Sequence, residues 1–236
     1  FDGDGDLDLI CGEFLDGFTY FQNIGTRSDP KYAAGERVSD ANGRMKMDLQ
    51  MLIVVPFDWD HDGDADLIVG QEDGRVALVE NLAQTRGRQP KFAEPKFFQQ
   101  EVDDVKYGVL CTPVGFDWDG DGDEDIVSGN SAGYIGWIEN LGPAIDAKTP
   151  KWAAPKDFSA DGEVIRIQAG SNGSIQGPAE AKWGYTTINV ADWDHDGLPD
   201  IVANSIWGRV VWWKNIGTRK APKLGPMQSI AVEWPG

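Results

Sequence analysis

The sequence predicts an all-β fold, a β-propeller built from four-stranded blades of about 60 residues each. Three observations lead to this prediction. An aspartate-rich cluster occurs four times in the 236 residues, an asparagine follows the last aspartate of each cluster by 15 residues, and a Pro-Lys pair follows each asparagine. A fixed period with constant internal offsets is typical of a repeat architecture, in which each repeat is one supersecondary unit.

The four aspartate clusters mark the repeats. They read FDGDGDLDLICG (1–12), DWDHDGDADLIVG (58–70), DWDGDGDEDIVSG (117–129) and DWDHDGLPDIVAN (192–204). Their last aspartates, which are 58, 59 and 75 residues apart, are Asp8, Asp66, Asp125 and Asp200. The elements that follow are Asn23, Asn81, Asn140 and Asn215, and then PKY (30–32), PKF (90–92), PKW (150–152) and PKL (222–224). We expect one propeller segment over 1–236, with repeats at about 1–44, 45–104, 105–180 and 181–236.

Each repeat contains four short runs that favour strands. The cluster is followed by DLIVG or a close variant, then a glycine turn, and then RVALVEN, YIGWIEN or RVVWWKN. A third run follows the Pro-Lys pair, and a fourth precedes the next cluster. Runs of β-branched and aromatic residues between glycine, asparagine and proline are typical of strands joined by turns. A β-helix would need a much shorter repeat, and a sandwich would not repeat its sequence.

The spacing inside each cluster, D-x-D-x-D-G-x-x-D, predicts a calcium loop. Carboxylates this close repel one another unless a cation neutralises them. Hard oxygen ligands at this density suit Ca²⁺ better than zinc or copper, and the backbone carbonyl of position seven is a further ligand. We predict about one Ca²⁺ per repeat, up to four. The predicted ligands are Asp2, Asp4, Asp6, Asp8, Asp58, Asp60, Asp62, Asp64, Asp66, Asp117, Asp119, Asp121, Asp123, Asp125, Asp192, Asp194, Asp196, Leu198 and Asp200.

These loops differ from EF-hands, because the bidentate glutamate of position twelve is missing and a β-run follows instead of a helix. Position twelve holds Cys11, Val69, Ser128 and Ala203. The loop is therefore expected to join two strands of a blade. Position two is aromatic, and we expect its side chain to point away from the metal into the core. The residues at position two are Phe1, Trp59, Trp118 and Trp193.

These motifs resemble the FG-GAP/VCBS repeat family, whose members include the integrin α-subunit propeller. The resemblance covers essentially the whole chain, and DWDGDGDEDIVSGN (117–130) is close to the typical motif. It implies a propeller, usually of seven or so blades, with Ca²⁺ between the first two strands of a blade. It also implies a secreted, periplasmic or surface-exposed protein, and many bacterial members accompany polysaccharide breakdown. The motif indicates a fold and an ion rather than a reaction.

The first loop begins at position two with Phe1, so we expect the natural chain to begin further upstream. The four blades are then expected to form part of a larger ring of about seven, with the remaining blades of a parent chain as partners. A closed four-bladed ring is the alternative.

The charge balance excludes some partners. The net charge is −18, from 39 acidic and 21 basic residues. Nucleic acid needs a basic face, and anionic membrane surfaces need one too. No apolar run approaches the ~18 residues that cross a bilayer, so we expect no membrane insertion. Cys11 and Cys111 lie in apolar runs at non-equivalent repeat positions, and we expect both to be unpaired core residues.

The connection between the third and fourth repeats carries an insertion within residues 167–185, IQAGSNGSIQGPAEAKWGY. Insertions in repeat folds map to loops on one face, often the binding face. Trp183 and Tyr185 are candidates to stack on a sugar ring, and Trp207 is a weaker candidate. Polar groups of the sugar would meet Arg166, Lys182 and Glu180. A surface excursion whose tryptophan plugs a neighbouring blade is the alternative.

We therefore expect an extracellular, cell-surface or periplasmic module, stabilised by calcium, that binds or scaffolds a carbohydrate. The first alternative is a polysaccharide lyase or glycoside hydrolase acting on uronate-containing glycans, and the second is adhesion to a protein ligand. For the lyase, Tyr185 is the candidate acid or base, with Lys182 or Arg166 neutralising a uronate carboxylate. The sequence leaves open whether the chain is an enzyme, since its aspartates are committed to metal and no carboxylate pair stands out.

Overall fold

The computed structural model describes residues 1–40, 42–82, 90–100, 103–143, 150–171 and 178–231. They form short β-strands and one 3₁₀ helix, Pro178–Lys182. The first half contains β1 (Leu9–Gly12), β2 (Phe18–Phe21), β3 (Glu36–Arg37), β4 (Ser39–Asp40), β5 (Gly43–Arg44), β6 (Ile53–Phe57), β7 (Asp66–Gly70), β8 (Val76–Val79), β9 (Lys96–Phe97) and β10 (Thr112–Phe116). The second half contains β11 (Asp125–Gly129), β12 (Ile135–Ile138), β13 (Asn140–Pro143), β14 (Pro150–Trp152), β15 (Lys156–Asp157), β16 (Ser159–Ala160), β17 (Glu163–Val164), β18 (Thr187–Ala191), β19 (Asp200–Asn204), β20 (Val211–Asn215) and β21 (Leu224–Ser229).

Each repeat forms one main antiparallel sheet whose strands follow chain order, and the pairs β4-β5 and β13-β14 form two further small sheets. The first sheet is β1-β2-β3, the second β6-β7-β8-β9 and the third β10-β11-β12-β15. The fourth is β18-β19-β20-β21, and the hairpin β16-β17 extends it through a parallel pairing of Ala160 with Leu224. The all-β prediction is confirmed. The predicted repeat boundaries stay a prediction. The propeller ring itself stays a prediction.

The second strands of the second and third sheets, β7 and β11, are buried on both faces, which explains their apolar sequences. In β7, Leu67 and Val69 contact the core shared with the first sheet, whereas Ile68 faces the core shared with the third sheet. In β11, Ile126 and Val127 divide in the same way between two cores. Three apolar cores therefore lie between consecutive sheets, and the strands β1, β6, β10 and β18 lie side by side in that order.

The aromatic residue at loop position two packs against the next sheet. Phe1 makes an edge contact with Phe92 at 6.3 Å between ring centroids, and Trp59 lies 6.0 Å from Trp152. Both partners are the apolar residues of the Pro-Lys motifs one repeat later. Trp118 is buried in the core that contains the equivalent Leu224.

The prediction for Trp193 is wrong, because its side chain is 47% exposed. No later repeat lies beside the fourth sheet within the described residues, so this ring has no Pro-Lys partner to pack on. Tyr32 is the complementary case: it belongs to the first repeat, and its side chain is 41% exposed. Burial of the aromatic residue therefore depends on a neighbouring sheet and not on the loop alone.

The two cysteines also differ in burial, because only one of them lies on a strand that is covered by neighbouring strands. Cys111 is fully buried as predicted, and burial raises the pKa of its thiol to about 12. The prediction for Cys11 is wrong, since it is exposed. Cys11 lies on β1, which is the edge strand of the three-stranded sheet, whereas its equivalents Val69, Ser128 and Ala203 lie on covered second strands.

Candidate functional site

The last aspartate of every loop is held by backbone N–H groups. One carboxylate oxygen accepts the N–H of the asparagine 15 residues later, at 2.7 or 2.8 Å in all four repeats. In the second, third and fourth loops, the other oxygen accepts the N–H of the position-two tryptophan at 2.9 or 3.0 Å. The asparagine side chain continues the chain of contacts: Asn23 Oδ1 accepts the N–H of Lys31, and Asn215 Oδ1 that of Lys223. These bonds explain the constant offsets of the sequence motif.

Two backbone positions give each loop its sharp turn. Position four is left-handed in every loop, with φ from 59° to 75° at Gly3, His61, Gly120 and His195. Position six is glycine in every loop, and its φ lies between 90° and 103°, a region that side chains rarely allow. In the first three loops, the N–H groups of positions five and seven then donate to carboxylates two residues earlier, as Asp62 and Asp64 do to Asp60 and Asp62.

Three loops bring carboxylates together as predicted. In each of them, three carboxylates offer oxygens that all lie within 4.8 Å of one another. The groups are Asp58, Asp60 and Asp62 in the second loop, Asp117, Asp119 and Asp125 in the third, and Asp192, Asp194 and Asp200 in the fourth. Oxygens at this separation can coordinate a single cation.

Buried oxygens without a partner show that the second loop fits a cation. Asp58 Oδ1 and Asp64 Oδ1 are shielded from solvent and have no hydrogen-bond partner. In the first loop, Asp6 Oδ1 is in the same state. A shielded carboxylate oxygen with no donor is costly, and Ca²⁺ takes about six to eight oxygen ligands. Asp58, Asp60, Asp62 and Asp64 would hold the ion in the second loop.

The pKa shifts have the same physical origin. Burial, together with the charges of the neighbouring Asp62 and Asp66, raises the pKa of Asp64 to about 6. Burial also raises the pKa of Asp125 to about 7, against the lowering effect of the N–H groups of Asn140 and Trp118. Both carboxylates resist ionisation in the absence of a cation, so a bound cation would stabilise the charged form.

The remaining predicted ligands surround these groups. In the first loop, Asp2 is buried and accepts Gln22 Nε2 at 2.9 Å, while Asp8 Oδ2 lies 3.0 Å from the amino group of Phe1. The last aspartates of the other loops, such as Asp66, are buried beneath the loop. Asp4, Asp121 and Asp196 are exposed, and Asp123 is half-buried.

In the fourth loop, a lysine side chain neutralises part of the carboxylate charge. Lys214 Nζ forms ion pairs with Asp194 and Asp196, the latter at 2.8 Å. The hydrogen bond from Lys214 lowers the pKa of Asp196, opposite to the shift of Asp64 in the second loop. Position seven of this loop is Leu198, whose N–H donates to Asp196 Oδ1 at 3.0 Å. The third loop also touches a cation, because the Arg219 guanidinium lies 3.0 Å from Asp117 Oδ2.

A cavity of about 820 Å³ lies at the other end of the strands. The metal loop joins the end of β6 to the start of β7, whereas the cavity is lined by the turns after β7, β11 and β19 and by residues just before β10 and β18. Its walls are Met51, Glu72, Val109, Leu110, Ser131, Ala132, Glu180, Trp183, Tyr185 and Ile206.

The insertion contributes the aromatic and acidic wall of this cavity. The rings of Trp183 and Tyr185 meet edge to face at 5.4 Å between centroids, and Trp183 is 47% exposed. Tyr185 Oη donates to Glu180 Oε1 at 3.4 Å, and Glu180 is only 8% exposed. Burial, followed by the charge of Glu180, raises the pKa of Tyr185. The N–H groups of Gly184 and Tyr185 donate to the Ser131 carbonyl and fix this segment.

The other predicted ligand-binding and catalytic residues lie elsewhere. The Arg166 guanidinium stacks over the Tyr134 ring at 4.6 Å and donates to the Ala132 and Lys182 carbonyls. The Lys182 side chain is exposed and does not line the cavity. Trp207 Nε1 donates to the Gln168 carbonyl at 2.9 Å, outside the cavity wall. Residues 172–177 of the insertion lie outside the described residues.

Part of the cavity comes from regular repeat positions, which the sequence pattern did not single out. Met51, Leu110 and Tyr185 occupy equivalent places two residues before β6, β10 and β18, and all three have positive φ. Glu72, Ser131 and Ile206 are likewise equivalent, two residues before the turn glycine. Comparing the repeats at these offsets would have grouped them with Tyr185.

Comparisons with known proteins identify no family. No family model and no curated protein matches the chain. A solved structure described as the basis of specific recognition of non-reducing terminal N-acetylglucosamine by an Agrocybe aegerita lectin is similar, at 19% identity and a TM-score of 0.44. The match covers 96% of this chain and 49% of the lectin, so the chain spans about half the length of that protein.

Proposed function

We propose that the chain is a calcium-stabilised β-propeller module of the FG-GAP/VCBS type that binds a carbohydrate in the 820 Å³ cavity. The observation that carries the carbohydrate proposal is the wall formed by Trp183, Tyr185 and Glu180. An exposed aromatic ring provides a face for the C–H groups of a sugar ring, and a buried carboxylate beside it accepts hydrogen bonds from hydroxyls.

Two features support the propeller and its ions. Consecutive antiparallel sheets packed through their first strands are the arrangement that a blade architecture needs. The shielded, partnerless oxygens of Asp58 and Asp64 support a structural cation in the second loop.

An extracellular, cell-surface or periplasmic location follows from the calcium proposal, because extracellular modules meet Ca²⁺ at about millimolar concentration. Within the described residues, the structure contains no helix with the length and apolar character needed to cross a membrane.

The carbohydrate proposal is tested by glycan-array screening followed by calorimetry on the strongest hit. Replacing Trp183 by Ala removes the stacking face, and we expect affinity to fall at least about tenfold, consistent with aromatic contacts of ~1.5 kcal/mol. Glu180→Gln keeps the shape but weakens hydrogen bonds to the carboxylate, with a similar expected loss. The matched control is Tyr32→Ala, which removes an exposed aromatic ring of the first repeat and should leave affinity unchanged. No glycan binding, or equal loss in the control, would contradict the proposal.

A second candidate is glycoside hydrolysis, which the presence of two glutamates in one cavity favours. Glu72 is exposed and Glu180 is buried, and such different surroundings suit a base and an acid. Release of reducing ends from the bound glycan, abolished in Glu180→Gln, would support it. The lyase alternative lacks a cationic wall, since neither Lys182 nor Arg166 lines the cavity. Adhesion to a protein stays a prediction.

A further inference from the structure

The residue directly before the recurring asparagine faces the metal loop. The four residues at this position are Gln22, Glu80, Glu139 and Lys214. Gln22 Nε2 donates to Asp2, and Lys214 Nζ forms ion pairs with Asp194 and Asp196. Asp2 and Asp194 are both position three of their loops. In the first and fourth repeats, this side chain therefore contacts a predicted metal ligand.

The charge of this side chain differs between repeats. It is a carboxylate in the second repeat, where Glu80 is paired only loosely with Lys96 at 3.5 Å. It is an ammonium in the fourth repeat, where Lys214 lies against the loop carboxylates. Position seven changes in the same direction, from Asp64 to Leu198. The fourth loop and its neighbour are thus three formal charges less negative than the second, two from this position and one from position seven.

We infer that the residue before the asparagine sets the calcium affinity of each loop, and that the Lys214 ammonium takes the place of the ion in the fourth loop. The inference rests on the proposed calcium role of the other loops. Carboxylate clustering does not separate the two loops, because the oxygens of Asp192, Asp194 and Asp200 also lie within 4.8 Å of one another. The charge of the neighbouring side chain separates them, because the Lys214 ammonium would repel a divalent ion that entered the fourth loop.

The difference in charge is largest between the second and fourth loops. In the third loop, Glu139 pairs with Lys156 at 2.8 Å while Arg219 contacts Asp117, so its charge lies between the two extremes. Experiments therefore compare the second loop directly with the fourth.

The test counts bound Ca²⁺ by calorimetry and native mass spectrometry on the whole chain. Asp60→Asn and Asp194→Asn change the same loop position in the second and fourth loops. We expect Asp60→Asn to lose one ion and Asp194→Asn to lose none. Lys214→Glu copies the second and third repeats, and we expect it to gain one ion, with a fourth-loop affinity raised by about a hundredfold. Adding Asp194→Asn to Lys214→Glu should remove that ion again.

The matched control is Lys46→Glu, which makes the same change of charge at a residue paired with Asp16, away from the loops, and should leave the ion count unchanged. Lys214→Gln introduces the residue of the first repeat, and it removes the ammonium without adding a carboxylate. We expect it to raise the calcium affinity of the fourth loop by less than Lys214→Glu does. It replaces Lys214→Glu in the test if that variant does not fold. Loss of an ion in Asp194→Asn, or an unchanged count in both Lys214 variants, would overturn the inference and leave the calcium role intact. Absence of Ca²⁺ binding in the wild type and in every variant would overturn both.

Discussion

The second and fourth loops have the same backbone and opposite electrostatics. Both are left-handed at the histidine of position four, both have glycine at position six, and both hold their last aspartate through two N–H groups. Yet the second loop buries carboxylate oxygens without a partner, and the fourth pairs its carboxylates with Lys214. Local turn chemistry builds both loops, and we propose that the residue before the recurring asparagine decides what neutralises their carboxylates.

The largest expected effect is that of metal removal. Binding at about 100 times Kd stabilises a protein by ~2.7 kcal/mol per site. Each kcal/mol shifts the melting temperature by about 2–4 °C in a chain of this size. With calcium in the first three loops, chelation would remove ~8 kcal/mol, so we expect it to lower the melting temperature by about 16–32 °C, measured by circular dichroism. Asp60→Asn should reduce this shift and Asp194→Asn should not, so equal reductions would contradict the contrast between the loops.

The second effect concerns the aromatic residue at position two. Trp59 contacts Phe98 and Trp152 at centroid distances of 4.9 and 6.0 Å, whereas Trp193 is 47% exposed. Trp59→Ala should lower the free energy of unfolding by about 3 kcal/mol. Trp193→Ala should change it by no more than about 0.5 kcal/mol. Denaturant unfolding in saturating calcium measures both. Similar losses would mean that Trp193 packs against a surface that the described chain does not include.

The third effect is the pH dependence of the calcium-free protein. The folded pKa of Asp64, about 6, lies above its ordinary value of 3.8. A raised pKa contributes stability below pH ~4 that is lost as the pH rises through 6. Asp196 has a lowered pKa, so its contribution is present above pH ~4 and is lost only in more acidic solution. In chelator, we expect the melting temperature to fall by a few degrees between pH 4 and 7, and Asp64→Asn to flatten this slope. An unchanged slope in Asp64→Asn would contradict it.

The smallest effect should be the stability change of the cavity variants. Trp183 is half-exposed, and its ring contacts Tyr185 at the cavity wall. Trp183→Ala should therefore alter unfolding free energy by roughly 1 kcal/mol or less, even while it weakens glycan binding. A large loss of stability would favour the alternative in which this tryptophan plugs a neighbouring sheet.

Local features of the fold could be predicted from the sequence. Alternating aspartates with glycine at position six dictate the loop, and β-branched runs such as Leu67–Val69 dictate a strand buried on both faces. The paired strands β4 (Ser39–Asp40) and β5 (Gly43–Arg44) could not be predicted, because each is two residues long and carries no apolar alternation. The exposure of Cys11 and Trp193 could not be predicted either, because the burial of each residue depends on which sheet lies beside it.

The candidate site could be predicted only in part, for a related reason. Trp183 and Tyr185 stood out because the insertion breaks the repeat, whereas Met51 and Leu110 lie in regular turns and join the cavity only when three sheets pack together. The role of Lys214 depends on a contact between a strand and a loop 18 to 20 residues apart, which no local pattern encodes.

The most direct test of the calcium proposal is a crystal structure at millimolar Ca²⁺, with anomalous diffraction used to locate the ion. The account predicts an anomalous peak in the second loop, bound by Asp58, Asp60, Asp62 and Asp64, and no peak beside Lys214 in the fourth. A second loop without a peak, its carboxylates turned outward into solvent, would contradict it.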